Sequence, residues 1–385
     1  MQWTSRNRVI AAINHNEPDR VPINVTPLYD FYLNLKQYLN LEIDEEVKCG
    51  LSMEVIPHPV VLKAIGVDIS SVKLGSPRRP VTIALGNDRL RDEWGVVYKK
   101  IRQSAGSYYE VVQPPLANAT LEDLEKYPWP VADLPGRGES AEKDAKRLFE
   151  DTDLALLGRA AGSIIEMPIY LMGFQNWMLR LGSDPIFAAA LLDKITAVQM
   201  NFDRVLLQAT AKYLNIYKVS GEDLGMQTGP LYSHRMFKEL FLPRQKRRWQ
   251  AIRQYLDAVN PGVKIMLHSC GGIRKFIPDL MEAGIQILDP IQPHAVGMDS
   301  TELKKEFGSR LVFHGGVDIQ QVLPFGTPTE VEEEVKTRIK ALAPGGGYIL
   351  APAHNVQADV PPSNLVAMCR AAQKYGAYPL DLTLP

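Results

Sequence analysis

From about residue 150 the chain alternates short apolar runs with longer stretches whose apolar residues recur at helical spacing. Asp153–Arg159 (DLALLGR) predicts a buried strand, and Asp184-Pro185 opens a helical pattern that runs to about Tyr213. Leu214–Val219 predicts a strand ending in Ser220-Gly221-Glu222-Asp223, followed by a helix from Ser233 to about Ala258. Val263–Leu267 is the next strand, ending in His268-Ser269-Cys270-Gly271-Gly272, with a helix over about Ile273–Ala283. Ile285–Leu288 is a strand ending in Asp289-Pro290-Ile291-Gln292-Pro293, and a helix spans Ser300–Phe307. Strand Arg310–Phe313 ends in His314-Gly315-Gly316-Val317-Asp318, before a helix over Thr329–Leu342. Strand Tyr348–Leu350 ends in Ala351-Pro352-Ala353-His354, and a last helix covers Pro362 to about Tyr375.

Strands alternating with helices predict parallel βαβ units, and Ser233, Thr329 and Pro362-Ser363 are helix-start signals. An open doubly wound sheet alternates in the same way. Polar residues, however, follow five strands in succession. A barrel gathers all strand ends on one face, whereas an open sheet brings together only those near its switch point. The expected fold is therefore a (β/α)8 TIM barrel with N-terminal extensions, one domain over residues 1–385. The N-terminal part carries short β-like runs at Val21–Val25 and Val67–Val72 and an excursion around RDEWGVVYKK. Tyr127-Pro128-Trp129-Pro130 and Pro135-Gly136 read as loop, and Gly345-Gly346-Gly347 as a helix-to-strand turn without the GK[ST] ending of a phosphate loop.

The net charge of −1 removes the electrostatic footprint of a nucleic-acid binder. One basic run, Arg244-Gln245-Lys246-Arg247-Arg248, reads as a solvated helix face or, less simply, a docking patch. Three cysteines, Cys49, Cys270 and Cys369, make no disulfide framework and suit a reducing compartment. The N-terminus lacks the apolar core of a signal peptide, and no run reaches 18 apolar residues. The expected location is the cytoplasm, without a membrane span.

His268-Ser269-Cys270 carries the sharpest chemistry. Residues i and i+2 of a strand share a side, so His268 and Cys270 face one point at the end of their strand. Imidazole and thiolate together suit zinc, and two glycines leave room for close approach. A buried cysteine beside a satisfied histidine gives the same pattern. His354 ends a later strand and reaches the same mouth of a barrel; His314 and His294 lie at similar positions. Glu222 and Asp223 end the preceding strand and offer a fourth metal ligand, a general acid/base or an ion pair. Met167, Tyr170, Leu171, Phe174, Trp177 and Met178 fall at helical spacing, which is core packing or, in part, an apolar pocket wall. Trp94 admits the same two readings. Cys369, on an apolar helical face, and Cys49 read as structural.

These motifs resemble the uroporphyrinogen decarboxylase superfamily over nearly the whole chain. The resemblance is carried by Pro18-Asp19-Arg20-Val21-Pro22, Gly66-Val67-Asp68, Gly221-Glu222-Asp223-Leu224-Gly225 and Ser233–Arg244 (SHRMFKELFLPR). It is strongest at HSCGG, HGGVD and APAHNVQADVPPSNL. The decarboxylases of that family grip porphyrinogen carboxylates with an arginine-rich N-terminal segment. The segment here, INVTPLYDFYLNL, has no arginine, which argues against that activity because several substrate carboxylates would stay unneutralised.

The chain looks more like the corrinoid-dependent methyltransferases, zinc enzymes with an HxC motif and a later third ligand. In the branch acting on coenzyme M the third ligand is a second cysteine; the matching residue here is His354. The resemblance thus implies a substrate:corrinoid methyltransferase of the anaerobic O-demethylase type, with zinc on His268, Cys270 and His354 and Glu222 nearby. One thiolate and two imidazoles keep zinc a stronger Lewis acid than several thiolates do. Glu222 and Asp223 are the catalytic carboxylates of this reading. Tyr29 from the first strand's end, Trp94, Met167 and Phe174, with His314, are its substrate wall for a methoxylated, aromatic methyl ether donor. The expected partners are that small molecule and a protein carrying cobalamin, with a homodimer as an open option. A methylcobalamin:thiol methyltransferase, the decarboxylase itself and a non-catalytic binding module are the competing readings.

Overall fold

The computed structural model describes residues 3–47, 49–103, 106–160, 162–219 and 221–381; Ser220 lies outside them. Its strands, in chain order, are β1 (Ile69–Lys73), an antiparallel run of β2 (Ile83–Gly86), β3 (Arg89–Arg91), β4 (Val97–Gln103) and β5 (Gly106–Gln113), then β6 (Ala155–Arg159), β7 (Ile216–Val219), a small hairpin of β8 (Gly225–Met226) and β9 (Gly229–Pro230), β10 (Lys264–His268), β11 (Ile287–Ile291), β12 (Val312–Val317) and β13 (Tyr348–Pro352). Seven of these pair in one parallel sheet in the order β1-β6-β7-β10-β11-β12-β13. Helices connect them, the longest being Pro185–Thr210. Strand order that follows chain order, with helical crossovers, is the topology of a (β/α)8 barrel.

The ring is closed by the N-terminal segment rather than by an eighth full strand. Ile23 bridges Leu350 in parallel. Asn24 N donates to Leu350 O at 2.9 Å and Leu350 N to Pro22 O at 2.9 Å, on the β13 side. On the β1 side Asp68 N donates to Ile23 O at 2.9 Å. The buried Asp68 carboxylate pins this seam, accepting from Ile23 N, Arg8 and Arg20.

Strand parity explains what the barrel holds. Ile69, Leu157, Ile216, Met266, Ile287, Val312 and Ile349 form one buried cluster with Val9 and Ile13 of the helix Ser5–Ile13, which plugs the lower end. Two residues further along the strands, on the same side, stand Arg159, Lys218, His268, Asp289 and His314. The interior is therefore apolar below and ionic above, and the ionic layer lies towards the carboxyl ends of the strands, where such barrels carry their sites. Residues of opposite parity, such as Leu156, Tyr217, Leu267, Leu288, Phe313 and Leu350, pack outward into the larger core.

The excursion around RDEWGVVYKK runs from the end of β3 through a turn into β4 of the four-stranded antiparallel sheet β2-β3-β4-β5. Several sequence expectations are corrected. Tyr29 begins the helix Tyr29–Tyr38 instead of ending a strand. The single helix expected from Ser233 is broken: Phe237–Phe241 is a π-helical turn before Leu242–Val259. Pro243 has no N–H to donate to the turn before it, so the regular ladder cannot run through. The basic run is solvated only in part, at Lys246 and Arg247. Arg248 is fully buried against Asp203 and Glu222, and Arg244 and Arg247 pair with Asp193. Among the described residues no helix is long and apolar enough to cross a membrane.

Candidate metal centre

β10 delivers His268 to the mouth, and the chain then turns through Cys270 into Gly271. That turn needs glycine: φ of Gly271 is +84°, and a Cβ there would sit 2.3 Å from the backbone carbon of Gly225. Ser269, buried between the two candidates, donates its N–H to Asp289 O at 2.8 Å and accepts Leu224 N–H at its hydroxyl. Asp223 accepts Cys270 N–H at 2.8 Å. Both sides of the HSC turn are thus held by neighbouring strand ends.

His268, Cys270 and His354 converge. One donor atom from each lies within 4.8 Å of the others. His268 Nε2 is 3.5 Å from Cys270 Sγ, and the two imidazole centroids are 5.9 Å apart at 66°. Zinc–nitrogen bonds of about 2.0–2.1 Å and zinc–sulfur bonds of about 2.3 Å place neighbouring tetrahedral donors roughly 3.3–3.8 Å apart. The observed spacing fits after small side-chain adjustments. His268 is also already oriented: its Nδ1 bonds Asp289 Oδ2 at 2.7 Å, which leaves Nε2 facing the thiol. A carboxylate behind a histidine is the usual outer support of a metal ligand.

Asp289 serves more than one group. Its other oxygen meets His314 Nδ1 at 2.5 Å, and Lys218 Nζ lies 2.6 Å from Oδ2. Burial alone would raise its pKa, but Lys218, His314 and His268 hold it well below the ordinary carboxylate value. Burial, reinforced by Asp223, Asp289 and Glu166, pushes the Cys270 thiol far up. Burial and His268 lower His354, keeping it a neutral donor. Glu166, which accepts from the Tyr170 hydroxyl, is pushed up to about 9 by burial and by Asp223 and Glu222.

The remaining sequence candidates fall elsewhere. Glu222 does not join the donor group. It is fully buried and its oxygens accept from Ile164 N, Ile165 N, Gln245 and Arg248. His314 has both ring nitrogens engaged, by Asp289 and by Asn24 at 3.0 Å, and His294 lies 3.8 Å from Asp318. Trp94 is buried edge-on to Trp129, Met167 is core, Phe174 is 52% exposed and Tyr29 packs on the core from its helix. Cys270 and His354 open instead into a cavity of about 260 Å³ bordered by Met226, Gln227, Gln292, Gln320, Gln357 and Asp359. None of Tyr29, Trp94, Met167 and Phe174 borders it. Sequence reasoning missed Asp289, Lys218, Arg159 and Gln292. The parity signal was available for the first three: each stands two residues after a buried apolar residue at a strand end.

A closed parallel barrel with polar side chains gathered at the carboxyl ends of its strands defines a TIM-barrel fold. The profile of the uroporphyrinogen decarboxylase (URO-D) family matches residues 102–375, and the chain belongs to that family. A stretch of 89 residues is 33% identical to a uroporphyrinogen decarboxylase of Sodalis glossinidius (strain morsitans), covering 21% of this chain and 25% of that protein. The match thus spans about a quarter of the curated relative. A solved structure, a methyltransferase from Methanosarcina mazei, superposes with a TM-score of 0.64 over 98% of this chain and 100% of that one. At 17% identity that likeness speaks for the fold.

Proposed function

We propose that the chain is a zinc-dependent methyltransferase that moves a methyl group from a small methoxylated compound to the cob(I)alamin of a separate corrinoid protein. The observation that carries this reading is the convergence of one thiol and two imidazoles at the barrel mouth, with Asp289 fixed behind His268. His268, Cys270 and His354 would hold the metal, which when bound supplies a Lewis acid for an ether oxygen. Asp289 sets which nitrogen of His268 faces the site, and Asp223 fixes the Cys270 backbone. The adjoining cavity accommodates a small donor molecule, and its glutamine side chains orient polar groups on it. Because the expected aromatic wall does not border this cavity, the proposed donor is a methoxylated compound with hydrogen-bonding groups, with simple arenes less well served. Cytoplasmic location and the corrinoid partner belong to the same proposal.

The curated relative favours a second reading, decarboxylation of a polycarboxylate. Two cations of the ionic layer at the mouth answer it. Arg159 is paired with Glu54 and Lys218 with Asp289. Both are committed to internal partners rather than to substrate carboxylates. Elemental analysis of the chain against Cys270→Ala tests the metal: equal zinc in both would sink the donor assignment. Absorbance loss of cob(I)alamin, supplied free or on a corrinoid protein, tests the reaction with a series of methoxylated donors. Methylation of a thiol by methylcobalamin, with no donor active, would reverse the proposed direction. Carbon dioxide release without metal would restore the decarboxylase.

A further inference from the structure

One short stretch at the end of β11 touches the neighbourhood of every proposed metal ligand. Asp289 bonds His268 at Nδ1. Three residues later, Gln292 Oε1 accepts Gly271 N–H at 2.8 Å, directly beside Cys270. Its Nε2 donates to Ala353 O at 3.4 Å, directly beside His354. Gln227, on the β8–β9 turn, donates to the same Oε1 at 3.2 Å. The partners dictate the orientation of the carboxamide. The backbone N–H of Gly271 requires its oxygen, and the Ala353 carbonyl requires its nitrogen, so a flipped amide would oppose like groups on both sides.

From this bridging we infer that Gln292 is a positioning residue that sets the distance between Cys270 and His354. The inference rests on the reading that His268, Cys270 and His354 hold a metal. Its physical basis is simple. His268 and Cys270 share one strand end and their relation follows from parity, but His354 arrives on β13, two strands away from β11 on a separate loop. No strand pairing joins β10 to β13, so a side chain must span the gap. Gln292 does so from β11, with an acceptor towards one ligand loop and a donor towards the other. Neither Glu, which has no N–H, nor Met, which has neither group, can replace both ends.

The experiment uses the full chain, with zinc and Co²⁺ as probes. Zinc affinity is measured by competition with a chromophoric chelator, and the geometry by the visible spectrum of the Co²⁺-loaded protein. Removing an outer support of a ligand weakens metal binding by about 10–100-fold, so Gln292→Met is expected to lose zinc affinity at least about tenfold and to shift the Co²⁺ ligand-field bands. Gln292→Glu keeps the acceptor for Gly271 and Gln227; it is expected to retain the sulfur-to-cobalt charge-transfer band while the ligand-field bands move. Both variants binding zinc like wild type, with superimposable Co²⁺ spectra, would overturn the inference. So would a change confined to the unfolding temperature, since that marks a structural role alone. Wild type and Cys270→Ala holding equal metal would overturn the donor set and this inference with it, and separates that failure from failure of the bridge.

Discussion

Replacing Asp289 by asparagine keeps the volume and removes one buried charge. The carboxylate is 4% exposed and meets Lys218 at 2.6 Å, His268 at 2.7 Å and His314 at 2.5 Å. An amide offers one oxygen, so its NH2 must face either Lys218 and His268, setting donor against donor, or His314, which must then shift its proton to Nε2 to accept. Lys218, with a side chain only 13% exposed, loses its counter-charge. Breaking one half of a buried pair costs about 3–5 kcal/mol. An unfolding entropy of about 2.1 cal/mol/K per residue over 385 residues gives roughly 0.8 kcal/mol/K, so the transition should fall by about 4–6 °C. Zinc affinity should fall about 10–100-fold as His268 loses its support. Scanning calorimetry of the metal-free protein and chelator competition measure the two effects separately. Asp289→Asn combined with Lys218→Met should recover much of the stability and none of the affinity. The sign of the pH dependence is fixed. A depressed folded-state pKa means stability that is present above the ordinary value of 3.8 and lost as pH falls through the folded value. The gap between wild type and variant should therefore be full near neutrality and narrow below about pH 4. An unfolding temperature within about 1 °C of wild type, with unchanged zinc affinity, would refute the assignment of Asp289 as the central charge of the mouth, given the stability change expected above.

Arg248→Met leaves Asp203 and Glu222 as uncompensated buried carboxylates and should cost about 3–5 kcal/mol; a denaturant midpoint equal to wild type would show the network to be dispensable. Because burial and its acidic neighbours raise the Cys270 thiol, metal-free protein keeps that proton at neutral pH. Zinc binding should then release about one proton per ion and weaken as pH falls, read with a pH indicator in weak buffer; no release would place the metal on other groups. Gly271→Ala forces a Cβ into the Gly225 backbone at a left-handed φ; an outcome with unchanged stability and zinc content would contradict the tightness of the HSCGG turn.

Much of the barrel was legible because parallel strands buried on both faces write themselves as apolar runs, and β6, β7, β10 and β13 fall where those runs lie. The convergence of His268 with Cys270 follows from period two alone. What was illegible depends on distant partners. Nothing near Arg248 in the sequence announces Asp203 or Glu222, which lie 45 and 26 residues away, so a buried cation passed for a solvated one. Glu222 and Asp223 are adjacent, and neighbours on an extended chain face opposite ways. One serves Arg248 and the other the Cys270 backbone, a division the sequence does not reveal without the register. The closing segment was visible as a β-like run at Val21–Val25, but its place between β13 and β1 is a matter of topology.

That seam has a bearing on biosynthesis. Ile23 pairs with Leu350, so the earliest barrel element to leave the ribosome waits for one of the last. At about 5–20 residues per second, the interval is on the order of 15–65 s. During that time the apolar inner faces of the nascent strands have no lid, and half-made chains are exposed to misassociation. The segments around Asp19 and Tyr378 also meet: Tyr378 N donates to Asp19 O at 3.0 Å. A permuted gene opened in the exposed β2–β3 turn would bring the Leu350 and Ile23 segments close together in order of synthesis and would pass the wait to the β1–β6 pair instead.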